Sequence, residues 1–254
     1  MSGTSFKSDT RRLAYDQTPG RSPGVVFLSG FNSTKEGIKA TFLQSWAQEK
    51  GYGFLRFDYS GHGASAGHFK DGTIGHWLED TQSIIAGLTT GPQVIVGSSM
   101  GGWLGCLLLR ERSDLVGGLV TIAAAPDFTE ERYWTSFNSV TRQKLLEQGY
   151  VEVESAYDDG PYVITRKLIE EGRQHLVFPS PLHAPCPVRL LHGTGDDAIP
   201  VETAQRLFRH IEGADVQLTL VKGADHRFSS PDCLELIAKS VSETAFAASA
   251  SAEP

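Results

Sequence analysis

Residues 93–104 read Gln-Val-Ile-Val-Gly-Ser-Ser-Met-Gly-Gly-Trp-Leu, and this stretch decides the fold. The apolar run from Val94 to Val96 predicts a buried strand, and Trp103 to Leu109 predicts a helix. Between them, Gly97, Ser99 and Gly101 have the spacing G-x-S-x-G. This pattern places Ser99 on an abrupt strand-to-helix turn, which is where a nucleophilic serine is exposed above a sheet.

Steric crowding explains why this turn has glycine at two positions. Strand and helix approach so closely there that larger side chains at Gly97 and Gly101 would clash, and the turn strains the backbone of the serine. The N-terminus of the new helix also places backbone N–H groups, that of Met100 first, where an oxyanion would develop. The alternative is a turn of small residues without chemistry, because five-residue matches also arise by chance.

The length and composition fit a single α/β domain. The chain has 254 residues, of which 40% are hydrophobic and 21% charged, so it can bury a large core. The formal net charge of −7 and the lack of a basic stripe argue against a nucleic-acid partner. Three widely spaced cysteines without C-x-x-C spacing predict neither a metal site nor a disulfide framework, and they are typical of a reducing compartment.

The termini and the apolar runs predict a cytoplasmic protein. The first twenty residues lack an apolar core long enough for a signal peptide. No apolar run approaches the roughly 20 residues that a membrane span needs. We expect one domain over residues 11–246, flexible tails at 1–10 and 247–254, and a cytoplasmic location.

Apolar runs and helical patterns alternate along most of the chain. Besides the strand at 94–96, we predict strands at 25–28, 54–57, 119–123, 188–191 and 216–220. Runs that are apolar on both faces, separated by helical patterns, predict a mostly parallel central sheet with helices on both faces.

The first helix has its own sequence signals. Ser33 and Glu36 fit a capping box at its start. Ile38, Phe42 and Trp46 then recur at a four-residue step, which predicts that they form its core-facing side.

Between residues 126 and 185 the alternation of strands and helices fails. We predict a small helical cap inserted at about 127–184, with Trp134 and Phe137 binding an apolar acyl group. The alternative is a surface excursion without a role in binding. The aromatic residues that mark this segment are Tyr133, Trp134, Phe137, Tyr150, Tyr157 and Tyr162.

Two loops downstream of Ser99 carry the partners that its hydroxyl would need. A serine becomes a useful nucleophile at neutral pH only with a base, and the base needs a carboxylate that fixes its tautomer. Asp196 and His226 each follow a predicted strand, so their loops lie at the carboxyl edge of the sheet, where ligands bind. The sequence therefore predicts Ser99, Asp196 and His226 as nucleophile, acid and base.

Three carboxylates compete for the role of the acid. Asp196 and Asp197 are adjacent, and one of them can be an ordinary N-cap of the following helix. We assign the acid to Asp196 and keep Asp197 as the alternative. Asp225 is a weaker candidate, because its neighbour is His226 and adjacent side chains on an extended loop tend to diverge.

An oxyanion hole needs a second N–H besides that of Met100, and the loop after an early strand supplies it in such sites. Phe31 follows Gly30 after the strand at 25–28, and we expect it to be this donor. His62 lies in a glycine-rich loop ahead of Ser99, so we interpret it as a residue at the rim of the site.

Five segments carry a resemblance to a known family. They read Asp-Tyr-Ser-Gly at 58–61, Gly-Pro-Gln at 91–93, Gly-Ser-Ser-Met-Gly-Gly-Trp at 97–103, Arg-Leu-Leu-His-Gly at 189–193 before two aspartates, and Asp-His-Arg at 225–227. Together they resemble the abhydrolase-domain enzymes of the α/β-hydrolase superfamily, which include palmitoyl-protein thioesterases and acyl-glucuronide esterases. The resemblance runs from about residue 24 to the last helix and is least in the cap. It implies an α/β-hydrolase fold, serine esterase and thioesterase activity, and no cofactor, with Ser99, Asp196 and His226 matching the family's triad.

We therefore expect a serine hydrolase that cleaves carboxylic esters or thioesters, with apolar acyl groups favoured, through an acyl-enzyme on Ser99. The expected substrate is a small-molecule ester or thioester, with an S-acylated protein as an alternative, and neither a cofactor nor a metal is expected. Two other functions stay open: a catalytically silent hydrolase fold that binds a ligand or partner, and another reaction of the same serine, such as cofactor-free peroxidation. No pattern in the sequence specifies an oligomeric state.

Overall fold

A computed structural model of the protein describes residues 4–7, 11–154 and 160–250. The strands in chain order are β1 (Thr4–Lys7), β2 (Arg12–Thr18), β3 (Arg21–Leu28), β4 (Tyr52–Phe57), β5 (Gln93–Ser98), β6 (Val116–Ile122), β7 (Tyr150–Val153), β8 (Tyr162–Thr165), β9 (Leu182–His183), β10 (Val188–Gly193), β11 (Ile211–Glu212) and β12 (Val216–Val221). The helices are α1 (Ile38–Lys50), α2 (Ile74–Leu88), α3 (Met100–Glu111), α4 (Ser139–Gln148), α5 (Arg166–Gly172), α6 (Val201–His210) and α7 (Pro231–Ala250). Short 3₁₀ turns lie at Phe69–Asp71, Ser113–Leu115 and Arg173–His175, and a π-helix lies at Thr129–Trp134.

Eight strands form the central sheet, in the order β1-β2-β4-β3-β5-β6-β10-β12. The pairs β1–β2 and β2–β4 are antiparallel, and the pairs from β4 onward are parallel. All six residues of β5 are buried, as expected of a parallel strand covered on both faces. The predicted mostly parallel sheet is confirmed.

Helices cover both faces of the sheet and divide the core in two. One apolar cluster, which contains Trp77 and Trp103, joins the sheet to α2, α3 and the cap. The other, which contains Phe54 and Phe228, joins the opposite face to α1 and α7. None of the helices within the described residues has the length and apolar character needed to cross a membrane.

The structure corrects the predicted ends of the domain. Thr4–Lys7 is an edge strand on β2, and α7 continues to Ala250, so these parts of the predicted tails have regular structure. Regular secondary structure therefore extends beyond 11–246 in both directions. The rest of the predicted tails lies outside the described residues.

The inward face of α1 also differs from its prediction. Its buried residues are Ala40, Leu43 and Ala47, whereas Ile38 is 61% exposed. The helix starts at Ile38 after Gly37, without a side-chain cap. The predicted capping box is therefore wrong.

The segment between β6 and β10 is the predicted cap, and it is not purely helical. Its helices α4 and α5 flank an antiparallel hairpin of β7 and β8, in which Val151 pairs with Ile164. Tyr157 of the predicted aromatic set lies outside the described residues. The cap therefore mixes both kinds of secondary structure.

A buried aspartate joins the two ends of the cap. Asp127 is 2% exposed, and its carboxylate accepts hydrogen bonds from the backbone N–H of Val177 at 2.7 Å and of Phe178 at 3.1 Å. These bonds link residues 50 and 51 positions apart. We call this junction the neck of the cap.

A second contact fastens the cap to the sheet domain. The carboxylate of Glu171, in α5, accepts the backbone N–H of Gly75 in the first turn of α2 at 3.0 Å. His175 Nε2 lies 2.7 Å from the same carboxylate, and the indole N–H of Trp103 in α3 donates to the carbonyl of His175 at 2.9 Å. This set of bonds holds the cap against α2 and α3.

Candidate active site

The turn between β5 and α3 has the strained backbone that its sequence predicts. Ser99 has φ 54° and ψ −115°, a left-handed φ that residues other than glycine rarely adopt. A Cβ on Gly97 would lie 2.2 Å from the carbonyl oxygen of Gly101, and one on Gly101 would lie 2.1 Å from that of Leu28. Both positions therefore require glycine, and Ser99 is held at the start of α3.

Three side chains that are distant in sequence form one chain of hydrogen bonds. His226 Nε2 lies 3.1 Å from Ser99 Oγ, and His226 Nδ1 lies 2.7 Å from Asp196 Oδ2. The side chain of Asp196 is fully buried, whereas that of His226 is 15% exposed. The structure brings together the three residues that the sequence predicts as nucleophile, base and acid.

The second carboxylate oxygen of Asp196 fixes the orientation of that side chain. Asp196 Oδ1 accepts the backbone N–H groups of Ala198 and Ile199, each at 2.8 Å. Burial alone would raise the pKa of Asp196, but the bonds from His226 and from these N–H groups outweigh it and lower the pKa. The carboxylate is therefore ionised at neutral pH and can hold the Nδ1–H tautomer of the imidazole.

The two competing carboxylates point elsewhere. Asp197 is exposed. Asp225 Oδ1 accepts the backbone N–H of Phe228 at 3.0 Å and so closes a local turn. Asp196 is the carboxylate that the structure pairs with His226.

Phe31 and Met100, the predicted oxyanion donors, flank Ser99. Met100 follows Ser99 and begins α3. A Cβ on Gly30 would lie 3.4 Å from the Cβ of Ser99, so the loop that carries Phe31 passes directly beside the serine. Their role as donors stays a prediction.

A cavity of about 330 Å³ opens over Ser99 and His226. Its lining includes three phenylalanines and two tyrosines, namely Phe27, Phe31, Phe128, Tyr133 and Tyr162. The ring of Phe31 packs edge-on against those of Phe128 and Tyr162, with centroids 5.5 and 5.8 Å apart. One side of the cavity is therefore aromatic and can accept an apolar group.

Trp134 and Phe137 are not among the residues that line this cavity. Phe137 is buried within the cap against Tyr133, and the guanidinium groups of Arg142 and Arg173 each lie over the ring of Trp134. The structure therefore does not bring these two predicted residues to the cavity wall, where Tyr133 of the same segment lies instead.

His62 is also placed differently from its interpretation as a rim residue. It is 4% exposed and packs against Tyr59, Phe69 and Trp77. Burial lowers the pKa of His62 to about 4, so it is neutral at physiological pH. It belongs to the core that supports Phe31.

Sequence reasoning missed His192, which lies behind the acid. Its side chain is buried, with Nε2 3.0 Å from the carbonyl of Ile199 and 3.5 Å from Asp196 Oδ2. The spacing of four residues before Asp196 is the signal that could have indicated it. Among the described residues, no group of three or more His, Cys, Asp or Glu side chains is arranged to hold a metal ion.

The comparison with known proteins identifies the family. Residues 25–236 match the alpha/beta hydrolase family, and the chain belongs to it. The chain is 35% identical over 241 residues to a Bos taurus protein named palmitoyl-protein thioesterase ABHD10, mitochondrial, with 93% of this chain and 78% of the relative covered.

Two solved structures are similar along nearly the whole chain. Alpha/beta hydrolase domain-containing protein 10 from mouse aligns with a TM-score of 0.88 at 32% identity, covering 96% of this chain and 98% of that chain. A protein from Agrobacterium vitis S4 aligns with a TM-score of 0.90 at 35% identity, covering 96% and 97%. The fold class and the family resemblance are therefore confirmed.

The predicted cytoplasmic location is contradicted by these relatives. The similar proteins of Bos taurus, Pongo abelii and Homo sapiens are each named as mitochondrial. The prediction depends on the composition of the first twenty residues and on apolar runs too short for a membrane span. Neither feature separates the cytoplasm from other compartments that the secretory pathway does not reach.

Proposed function

We propose that the protein is a serine hydrolase that cleaves carboxylic esters or thioesters through an acyl-enzyme on Ser99. The observation that carries the proposal is the continuous chain of hydrogen bonds from Asp196 through His226 to Ser99, beside an open cavity. The family and the relatives named as thioesterases support hydrolysis of an ester or thioester.

In the first half of the reaction, His226 Nε2 takes the proton of Ser99 Oγ as the oxygen attacks the substrate carbonyl. The Oγ–C bond forms, and the carbonyl oxygen becomes an oxyanion near the N–H groups of Phe31 and Met100. When the tetrahedral intermediate collapses, the bond to the leaving oxygen or sulfur breaks. His226 returns the proton to that atom.

In the second half, water replaces the leaving group. His226 removes a proton from the water as it attacks the acyl-enzyme carbonyl, and it then returns the proton to Ser99 Oγ. Asp196 stays ionised and stabilises the imidazolium in both halves. The ester or thioester is thereby converted to an acid and an alcohol or thiol.

Labelling with a fluorophosphonate tests the nucleophile. We expect labelling of the wild type at Ser99 and loss of both labelling and turnover in Ser99→Ala, because one hydroxyl is removed with little loss of packing. Ser45→Ala is the matched control, since its hydroxyl lies on the exposed side of α1. Turnover near the wild-type rate in Ser99→Ala would refute the serine mechanism, and labelling elsewhere would refute the assignment of Ser99.

A further inference from the structure

A lysine from the opposite end of the chain holds the loop that carries His226. Lys39 lies in the first turn of α1, and its Nζ donates to the carbonyl oxygen of Arg227 at 2.5 Å. The two residues are 188 positions apart in sequence. Arg227 directly follows His226, so this bond connects α1 to the backbone next to the proposed base.

The loop needs such support because its backbone is strained. Phe228 has φ 50° and is fully buried, so the chain turns sharply just after Arg227. Within the loop, Ser229 Oγ donates to the same carbonyl at 2.8 Å, and Asp225 closes the turn through the N–H of Phe228. The bond from Lys39 ties this turn to a separate rigid helix.

Lys39 is also part of the cavity wall, together with Ser99, His226 and Arg227. A substitution there changes the site without touching the chain of hydrogen bonds from Asp196 to Ser99. Lys39 therefore lies in the wall of the candidate site and also bonds directly to the backbone of the loop that carries His226.

The charge of Lys39 is sensitive to mildly alkaline pH. Burial is the largest influence and lowers the pKa of Lys39 to about 8. The charge of Asp225 and, more weakly, Cys233 raise this pKa, and the guanidinium of Arg227 lowers it. At pH 7 the ammonium forms a charge-assisted bond to the carbonyl, which is roughly twice as strong as a neutral one. As the pH rises through about 8, the charge is lost and the bond weakens.

We infer that Lys39 is a positioning residue of the proposed hydrolase, which fixes the loop of His226 through the carbonyl of Arg227 so that the imidazole stays aligned with Ser99. The inference rests on the proposed function. A misplacement of about 1 Å at a reacting group can cost about 100-fold in rate. Loss of the Lys39 bond should therefore lower kcat about 10- to 100-fold and change KM little.

The test compares Lys39→Met, Lys39→Arg and Lys50→Met with the wild type, using p-nitrophenyl hexanoate from pH 6 to 10. Lys50 is the matched control, because it is an exposed lysine at the other end of α1. We expect the wild type to lose activity above about pH 8, Lys39→Met to have a low kcat without this alkaline decline, and Lys39→Arg to keep most activity at pH 7 without the decline. Lys50→Met should behave as the wild type.

Several outcomes would overturn the inference. Lys39→Met could keep the wild-type kcat and pH profile, or its KM could rise while its kcat stays unchanged. Lys39→Arg could keep the alkaline decline of the wild type, and this outcome decides the question if Lys39→Met does not fold. Fluorophosphonate labelling separates the two proposals. A wild type that neither labels nor hydrolyses refutes both, whereas a wild type that labels no faster than a folded Lys39→Met refutes only the role of Lys39.

Discussion

Asp196 and Asp197 are adjacent aspartates, and their different surroundings give them different expected roles. Asp196 is buried and bonded to His226, whereas Asp197 is exposed. We expect Asp196→Asn to lower kcat by about 10⁴-fold, because an amide favours the wrong imidazole tautomer, and Asp197→Asn to have little effect. Steady-state kinetics of both variants check this, with Asp225→Asn as a third. Equal and mild losses would show that another carboxylate holds His226.

The glycines of the strand-to-helix turn allow a prediction about stability. A Cβ at Gly97 would lie 2.2 Å from a backbone oxygen, which the backbone can relieve only by moving. We expect Gly97→Ala to destabilise the protein by about 3 kcal/mol. Gly117→Ala is the control, because its Cβ would meet nothing closer than 3.5 Å. Urea denaturation of both variants measures the difference, and equal midpoints would contradict the steric argument.

At the scale of elements, the fastening of the cap by Glu171 depends on charge and on pH. Burial would raise the pKa of Glu171, but the contacts with His175 and the N–H of Gly75 outweigh it, and the pKa lies below the ordinary 4.5. A lowered folded-state pKa stabilises the protein above pH 4.5, and this contribution is lost as the pH falls through the folded-state value.

We therefore expect Glu171→Gln to cost about 1 kcal/mol of the free energy of unfolding at pH 7, with a smaller difference from wild type below pH 4. Glu170→Gln is the matched control on the same helix, because Glu170 forms an exposed pair with Arg166, which contributes about 0.3–0.5 kcal/mol. Thermal denaturation at pH 7 and pH 3.5 measures both. An effect of Glu171→Gln that does not depend on pH would exclude the charge as its cause.

The elements also explain how far the sequence could predict this fold. Strands such as β5 were predictable because continuous apolar runs between helical patterns arise in parallel sheets. The face of α1 was not, because its packing against the sheet and α7 buries Ala40, Leu43 and Ala47 completely and leaves the larger Phe42 and Trp46 only partly buried. The hairpin of β7 and β8 was not predictable, because each of its strands has only four residues, too few for a clear alternation of apolar and polar positions.

The candidate site was likewise predictable only in part. Ser99, Asp196 and His226 follow strand ends, so topology alone brings their loops to one edge of the sheet. The cavity wall depends on side-chain directions in the cap, which composition does not give, so the sequence does not distinguish Tyr133, which lines the cavity, from Trp134, which does not. Lys39 carries no motif, because its partner is a backbone carbonyl.

At the scale of the whole molecule, the size of the cavity predicts a limit on the acyl chain. A cavity of about 150 Å³ holds benzene, so one of about 330 Å³ holds roughly a dozen non-hydrogen atoms. Each buried methylene contributes at most about 0.8 kcal/mol. We expect kcat/KM to rise from acetyl to acyl chains of roughly six to ten carbons, for esters and thioesters alike, and amides to be cleaved poorly.

Two partly buried cap aromatics form a matched pair for this test. Tyr162 lines the cavity, whereas Trp134 does not. Tyr162→Ala should weaken the preference for longer chains, and Trp134→Ala should keep it. A series of p-nitrophenyl esters and acyl thioesters measures this, and the acyl-site assignment fails if acetyl is the best substrate or if both variants behave alike.

The neck of the cap at Asp127 brings the two ends of the inserted segment together. Because the chain leaves and re-enters the sheet domain within hydrogen-bond distance, a short linker can bridge the gap at little cost in loop-closure entropy. The strands and loops that hold Ser99, Asp196 and His226 lie outside this segment, so insertions, deletions or exchange of the cap leave their connectivity intact. Substitutions in this one contiguous stretch of sequence can therefore change the proposed acyl site without altering the segments that hold the proposed nucleophile, acid and base.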